Sequence, residues 1–466
     1  MYNEKIGILE EVVSEYIHPQ NNTYPLWNYG NPVIVRDNDM VYVTIPETSE
    51  TETPFLNTRL QVFRKAGNDK WEKVYSTIKY DQREPCPIAR KKPGNIVVSI
   101  NTGIVPFRTS SDGREIMWYC EPYLLEFDEN NIKFPKVLKP KWDEDWSFTD
   151  HSYRGIATDP SNGSMYVMNQ EGFLWKPGYL GRYHWAYYDE NGQWANCGVM
   201  SFDRRTGYPM LCLRDAKAYF CATSDIDEPN EEWMAYKREV TGQWWDFDFR
   251  KLYLAKTDDI SEHSFGEPLV VEDVDSTCGF IRHCDMFVDR DGVVSILYIV
   301  TNCLKPFMRD KFFSDMKIRV SLRLCKVKDG VILSKQDIYT CSENKNTEHI
   351  SGKMETGALK PGNDFHTDRP VPSCGAFAAL DDGRLYVVYS LSGYSEDEDS
   401  RQGNYVVRIS PSAVEEPTRL ELETPLQVFF AAAERSGSQL GKYADLFGLA
   451  HNGVNELRYV RLQFDE

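Results

Sequence analysis

The sequence has no apolar run approaching the roughly 18 residues that a membrane-crossing helix requires, and it opens on Met1-Tyr2-Asn3-Glu4-Lys5, which is not a signal peptide. The expected location is therefore cytoplasmic, or periplasmic or secreted if a leader has been removed, and no membrane partner is expected. Positive charge is short as well. The 53 basic residues face 71 acidic ones, for a net charge of −18, and no Lys/Arg stripe runs along the chain. Wrapping a phosphate backbone needs a basic face, so nucleic acid is not an expected partner. Also missing are a Gly-x-Ser-x-Gly elbow, a phosphate-cradling P-loop, a Rossmann glycine pattern and a His-Glu-x-x-His zinc helix. The eleven cysteines include no Cys-x-x-Cys, and Cys86, Cys120, Cys212, Cys221 and Cys325 lie inside apolar stretches, as buried reduced thiols do. Helical periodicity is confined to a few short segments.

What the chain has in quantity is the short strand and the tight turn. Seven copies of one frame can be laid along it, each an apolar strand, a turn rich in Asp, Asn or Gly, and a second apolar strand. They span 32–45 around Asp37-Asn38-Asp39, 86–100 around Pro93-Gly94-Asn95, and 156–169 around Pro160-Ser161-Asn162-Gly163. The others span 209–222 around Arg214-Asp215, 284–300 around Asp289-Arg290-Asp291-Gly292, 376–391 around Asp381-Asp382-Gly383, and 446–462 around His451-Asn452-Gly453. With one or two further strands between copies, each repeat makes a small antiparallel sheet whose faces can be buried only against its neighbours.

The expected fold is an all-β, seven-bladed β-propeller forming one domain over 1–466. The blades fall at 17–80, 81–145, 146–206, 207–280, 281–345 and 346–425, and the seventh joins 426–466 to a strand from 5–16. That N-terminal strand would close the ring and remove an exposed sheet edge. A pair of β-sandwiches or a right-handed β-helix are the alternatives. Two insertions break the rhythm after the second strand of blades four and five. Residues 229–240 read as a helix capped by Asn230 and stopped by Gly242, and 305–314 read as a second short helix. Both should rim one face of the ring.

The residues just before each innermost strand are 28–31, Arg83-Glu84, 151–154, Tyr208, Arg282-His283, Asp368-Arg369 and 443–445, which gather Arg, His, Tyr and acids at that face. Arg forks a carboxylate while His or Tyr moves protons near neutral pH, so the set suits an acidic sugar. His151, Tyr153, His283 and Asp285 are the candidate catalytic residues. Arg154, Arg282, His184, Tyr208 and Arg83 are candidate substrate ligands, with Trp244 and Trp245 as flat surfaces for sugar rings. Each has a plainer reading: His151 as a tie between blades, Arg282-His283-Cys284-Asp285 as an interblade ion-pair network, Trp244-Trp245 as lid packing. The acidic run 395–399 reads as a solvated loop tip and Cys374 as an inert core thiol. No cofactor is required by this chemistry and no metal site is assigned, although a structural Ca²⁺ in the channel would be compatible with the fold.

The layout resembles the BNR-repeat, sialidase-like propellers. Asp150-His151-Ser152, followed by an Asp-x-x-x-Gly hairpin, is similar to the Asp-His-Asn blade start of ulvan lyases, and rhamnosyl-glucuronate-cleaving propellers have a similar look. The resemblance implies a carbohydrate-active enzyme, a lyase or a glycoside hydrolase, cutting beside an acidic sugar, and of the motif positions it carries over only His151. A second histidine expected at the end of the next strand is replaced by Asn169-Gln170-Glu171, and the Asp-box is degenerate at Ser110-Ser111-Asp112-Gly113. A non-catalytic glycan-binding or protein-interaction propeller is the alternative function.

Overall fold

The computed structural model describes residues 6–21, 23–27, 30–52, 55–109, 115–144, 146–151, 153–172, 180–242, 247–344, 367–393, 401–410, 413–450 and 455–464. Among the described residues the strands form seven antiparallel blades, one of them five-stranded and six four-stranded, and a two-stranded ribbon, Ile226–Asp227 with Phe247–Asp248. From the first blade onward the innermost strands are Ile34–Asp37, Ile88–Lys92, Arg154–Thr158, Thr206–Arg214, Phe280–Val288, Val371–Ala379 and Leu426–Ala431. The second strands are apolar on both faces because each lies between two neighbouring blades. Val294–Thr301, for instance, is buried at every position. Outer strands are far less covered instead: Ile6–Glu15 and Val331–Ser342 each have a single buried residue, the rest being half-buried or exposed.

The turns explain why the frame repeats. In the third blade Asp159 accepts from the Ser161 amide at 2.9 Å and Asn162 from the Ser164 amide at 2.8 Å, while Gly163 takes φ +77°. A Cβ on Gly163 would also stand 2.8 Å from the Lys91 carbonyl, so side-chain acceptors and one glycine fix the hairpin. The fifth blade repeats the device, with Asp289 accepting from the amides of Asp291 and Val293.

The N-terminal strand closes the ring. Ile6–Glu15 pairs antiparallel with Glu456–Phe464, from Ile6 opposite Phe464 to Glu15 opposite Glu456, as the outermost strand of the last blade. One expectation requires correction here. The frame over 446–462 is the second and third strands of that blade, Tyr443–Ala450 and Glu456–Phe464, because the innermost strand is Leu426–Ala431. Residues 443–445 therefore lie within a second strand and not at the mouth. Instead of a tight turn, the first and second strands of this blade are joined by a longer connection carrying a 3-10 turn, Glu434–Ser436.

That connection plugs the axis from one end. Arg435 is buried; its guanidinium pairs with Asp285 at 2.9 Å and donates to the Gly30 carbonyl. Gly437, at φ +75°, lies so close to the Arg90 carbonyl that no Cβ would fit. From the other end, the Asn31 side chain donates to the carbonyls of Arg154 at 2.7 Å and Pro209 at 2.8 Å, tying blade one to blades three and four. Gly30 takes φ +68°, and a Cβ there would collide with Met210. The axis is thus a packed column.

Both insertions are helical and pack on each other. The helix Glu231–Thr241 has the Asn230 side chain accepting from the Trp233 amide at 3.1 Å and ends at Gly242 with φ +69°. The second helix, Pro306–Phe312, places Phe307 and Phe312 against Tyr236 of the first, with ring centroids 5.9 and 5.6 Å apart. Beneath them, Glu228 and Asp248 face Lys237 and Arg250. Lys237 lies 2.9 Å from Glu228 and Arg250 3.1 Å from Asp248, so two buried acids balance two buried bases. Burial works against an ionised Glu228, yet Arg250 and Lys237 hold its carboxyl down at about 2. No helix among the described residues is long and apolar enough to cross a membrane.

Candidate functional site

At the start of blade three the backbone turns from Asp150 through His151 into the strand Arg154–Thr158, and alternate side chains separate to opposite sides. Tyr153 faces blade four and Arg154 faces blade two. His151 stays above both, with its side chain 16% exposed, and its Nδ1 lies 2.8 Å from a carboxylate oxygen of Glu84, which is almost wholly buried. The Tyr153 ring stacks on the imidazole at 4.4 Å with planes 17° apart, and Tyr208 meets both rings edge-on at 6.0 and 5.1 Å.

The cluster continues on both sides. Toward blade two, Arg83 lies 3.4 Å from Asp150 and 3.9 Å from Glu84, with its guanidinium over the Phe55 ring. Toward blade four, the Tyr153 hydroxyl donates to Asp225 at 2.5 Å, and Arg205 holds the other oxygen of that carboxylate at 3.0 Å. Burial pushes the Tyr153 phenol well above its ordinary range and the Asp225 charge adds to this, so the hydroxyl keeps its proton. Tyr208 sits at φ +57°, in the left-handed region, where the strand Thr206–Arg214 shifts register between Gly207 and Met210. The irregularity sets the Tyr208 ring between His151, Trp27 and Phe249.

The structure thus brings together His151, Tyr153, Tyr208 and Arg83. It places the other expected residues elsewhere. Arg154 is buried and donates to the Pro85 carbonyl at 3.3 Å and contacts Cys86 Sγ at 3.7 Å, so its guanidinium fills the seam between blades two and three. Asp285 accepts from Arg435 and from the Phe377 amide at 2.9 Å, which makes it the interblade tie that was the plainer reading. Arg282 and His283 lie inside the strand Phe280–Val288 and not ahead of it. Burial lowers the His283 imidazole to about 3; the Tyr208 backbone pulls the other way, and the charges of Arg282 and Arg435 lower it further. His283 is a poor acceptor of protons at neutral pH for that reason. His184 is fully buried in a separate cluster, its Nε2 3.1 Å from Glu171 and its ring beneath Trp146 at 6.2 Å. Trp244, Trp245, the run 395–399 and the box at 110–113 lie outside the described residues.

Sequence reasoning passed over Asp225, Arg205, Trp27 and Phe55. Asp225 follows the end of the second strand of blade four and Arg205 precedes the innermost strand of the same blade, so the pair is assembled by the hairpin pairing and leaves no local motif. Among the described residues no group of three or more His, Cys, Asp or Glu is placed to hold a metal ion. At the axis, Asp285 already carries a cation, the Arg435 guanidinium. At the opposite end of the axis a small cleft is lined by Arg214, Asp285, Glu434, Arg435 and others. Its acids and bases are paired with one another, Arg214 with Glu434 at 2.5 Å and Arg435 with Asp285.

No protein-family model matches the chain, and no curated protein matches its sequence. Solved structures do. An ulvan lyase, described as a new family of polysaccharide lyase and bound to -[GlcA(1-4)Rha3S]-, is 10% identical over 96% of this chain and 94% of its own, with a TM-score of 0.53. An α-L-arabinofuranosidase of Fusarium graminearum is 9% identical over 98% of both chains, with a TM-score of 0.45. A Trypanosoma rangeli sialidase is 9% identical over 98% of this chain and 59% of its own, with a TM-score of 0.43. At such identities what is shared is the fold. The chain is a seven-bladed β-propeller whose architecture is similar to that of the ulvan lyase.

Proposed function

We propose that the protein cleaves a glycosidic bond in an acidic glycan, with His151 as the group that moves the proton. The observation that carries this reading is the dyad of a nearly buried Glu84 carboxylate 2.8 Å from the Nδ1 of a partly exposed imidazole, set among aromatic rings. A carboxylate on Nδ1 fixes the tautomer, directs the basic Nε2 away from itself and stabilises the imidazolium once the proton has arrived. The ulvan lyase of similar fold, with its bound uronate–rhamnose unit, favours elimination beside a uronate over other chemistries.

In such a step the imidazole takes the proton next to the sugar carboxylate. The released electron pair becomes a carbon–carbon double bond, and the glycosidic oxygen leaves and is protonated. Tyr208, within one ring contact of His151, is the assigned donor for the leaving oxygen. Tyr153 is a positioning residue, because its hydroxyl is already committed to Asp225. Arg83 is the assigned partner for the sugar carboxylate. Its 3.4 Å contact with Asp150 is long for a charged hydrogen bond and leaves it able to exchange partners. Arg154, His283 and Asp285 take no part.

The test is to incubate the purified protein with uronate-containing, rhamnosylated and sialylated glycans while following the ultraviolet absorbance of an unsaturated product together with released reducing ends. Both signals should rise on a uronate-containing glycan and be lost in His151→Ala. Reducing ends without absorbance would replace elimination by hydrolysis. Silence across the panel would leave glycan binding without turnover as the better reading.

A further inference from the structure

The segment that links the ring-closing strand to blade one carries rings that continue outward from His151. Residues 24–27, Tyr24-Pro25-Leu26-Trp27, form a turn closed by the Trp27 amide donating to the Tyr24 carbonyl at 3.0 Å, with proline at the second position. The Tyr24 and Trp27 rings stack at 5.9 Å with planes 24° apart. Trp27 then meets Tyr208 at 6.4 Å, and Tyr208 meets His151 at 6.0 Å. The track begins at a tyrosine that is 50% exposed and ends at the dyad.

The turn is held by buried polar contacts. Asn21, 1% exposed, donates to Asn57 at 2.9 Å and to the Arg83 carbonyl at 3.0 Å, and accepts from the Thr23 amide and hydroxyl. Asn57 in turn donates to the Pro19 carbonyl at 2.6 Å. These bonds anchor the turn to blade two at the residue next to Glu84. An exposed aromatic on a pinned turn binds at little ordering cost, since the backbone is fixed before the ligand arrives.

We propose that Tyr24, backed by Trp27, is a sugar-stacking subsite for a unit of the glycan chain remote from the bond broken at His151. The ligand class is the apolar face of a pyranose ring within an oligosaccharide long enough to reach from His151 to Tyr24. The inference rests on the reading of His151 as the reacting centre, and it adds a preference for chain length that the dyad alone does not supply.

The experiment measures affinity by calorimetry, and kcat and KM where turnover occurs, for oligosaccharides of increasing length cut from the glycan that the activity panel selects. It compares wild type, Tyr24→Ala and Tyr24→Phe. Tyr24→Ala should weaken long oligosaccharides about tenfold through KM, leave the shortest unchanged, and be rescued by Tyr24→Phe, which keeps the ring. Equal affinity of wild type and Tyr24→Ala at every length, or an equal loss on short and long chains, would overturn the subsite and leave the His151 reading standing. A wild type that binds no glycan of the panel would overturn both.

Discussion

Two histidines approach Tyr208 from different blades, and their surroundings differ in every respect that governs proton transfer. His151 has a carboxylate on one nitrogen, aromatic rings against its faces and contact with solvent. His283 is sealed in a strand between Tyr208 and the axis, where burial and the nearby Arg282 and Arg435 hold it neutral down to about 3. As sequence both are a histidine within two residues of an arginine or tyrosine near the start of a strand. What separates the imidazole proposed to react from the packed one is therefore the neighbouring blade: Glu84 comes from blade two to meet His151, whereas Arg435 comes from blade seven to pair with Asp285. The same residue types make a site at one place and a seam at another.

The comparison is broken most severely at the dyad. His151→Ala should lower turnover by about a hundredfold or more while leaving thermal unfolding within a few degrees of wild type, because the side chain is partly exposed and anchors no strand. Glu84→Gln keeps the shape but removes the charge that supports the imidazolium, and should lower turnover about tenfold. The seam responds in the opposite sense. Asp285→Ala leaves Arg435 buried without its carboxylate, and should cost about 3 kcal/mol in denaturant unfolding with kcat unchanged in the folded fraction.

Smaller effects sharpen the contrast. Tyr153→Phe removes the donor to Asp225 but keeps the ring stacked on His151. It should cost about 1 to 2 kcal/mol of stability and lower turnover only modestly, which separates a positioning tyrosine from a reacting one. His283 makes its own contribution to acid stability. Its folded value of about 3 lies below the ordinary 6.5, so the unfolded chain takes up a proton first and stability falls as pH drops below about 6.5. His283→Gln should remove that component, flattening the decline by about 1 kcal/mol between pH 7 and 5.5 in equilibrium unfolding.

The repeat was legible because hairpin turns need Asp, Asn and Gly at fixed offsets, and because strands lying between blades must be apolar on both faces. The closing strand was legible for the same reason: Ile6–Glu15 alternates like an outer strand and had no other partner. The last blade was read one strand out of phase because its first two strands are joined by the longer axis plug around Arg435, which has glycines but no Asp or Asn and does not make a tight turn. The candidate site was only half legible. His151, Tyr153 and Tyr208 stand near strand starts, where side chains can converge. Which way each points depends on pleat and register, so Arg154 turned into a seam while its neighbour Tyr153 faced blade four. Asp285 and Arg435 are 150 positions apart, and nothing local marks them as partners.

The most direct test is to follow the imidazole resonances of His151 and His283, assigned through His151→Ala and His283→Gln, while titrating the glycan that the activity panel selects. The account predicts that the His151 signals shift in proportion to bound glycan while those of His283 stay in place. A His151 resonance unmoved at saturation would contradict the assignment of the reacting centre.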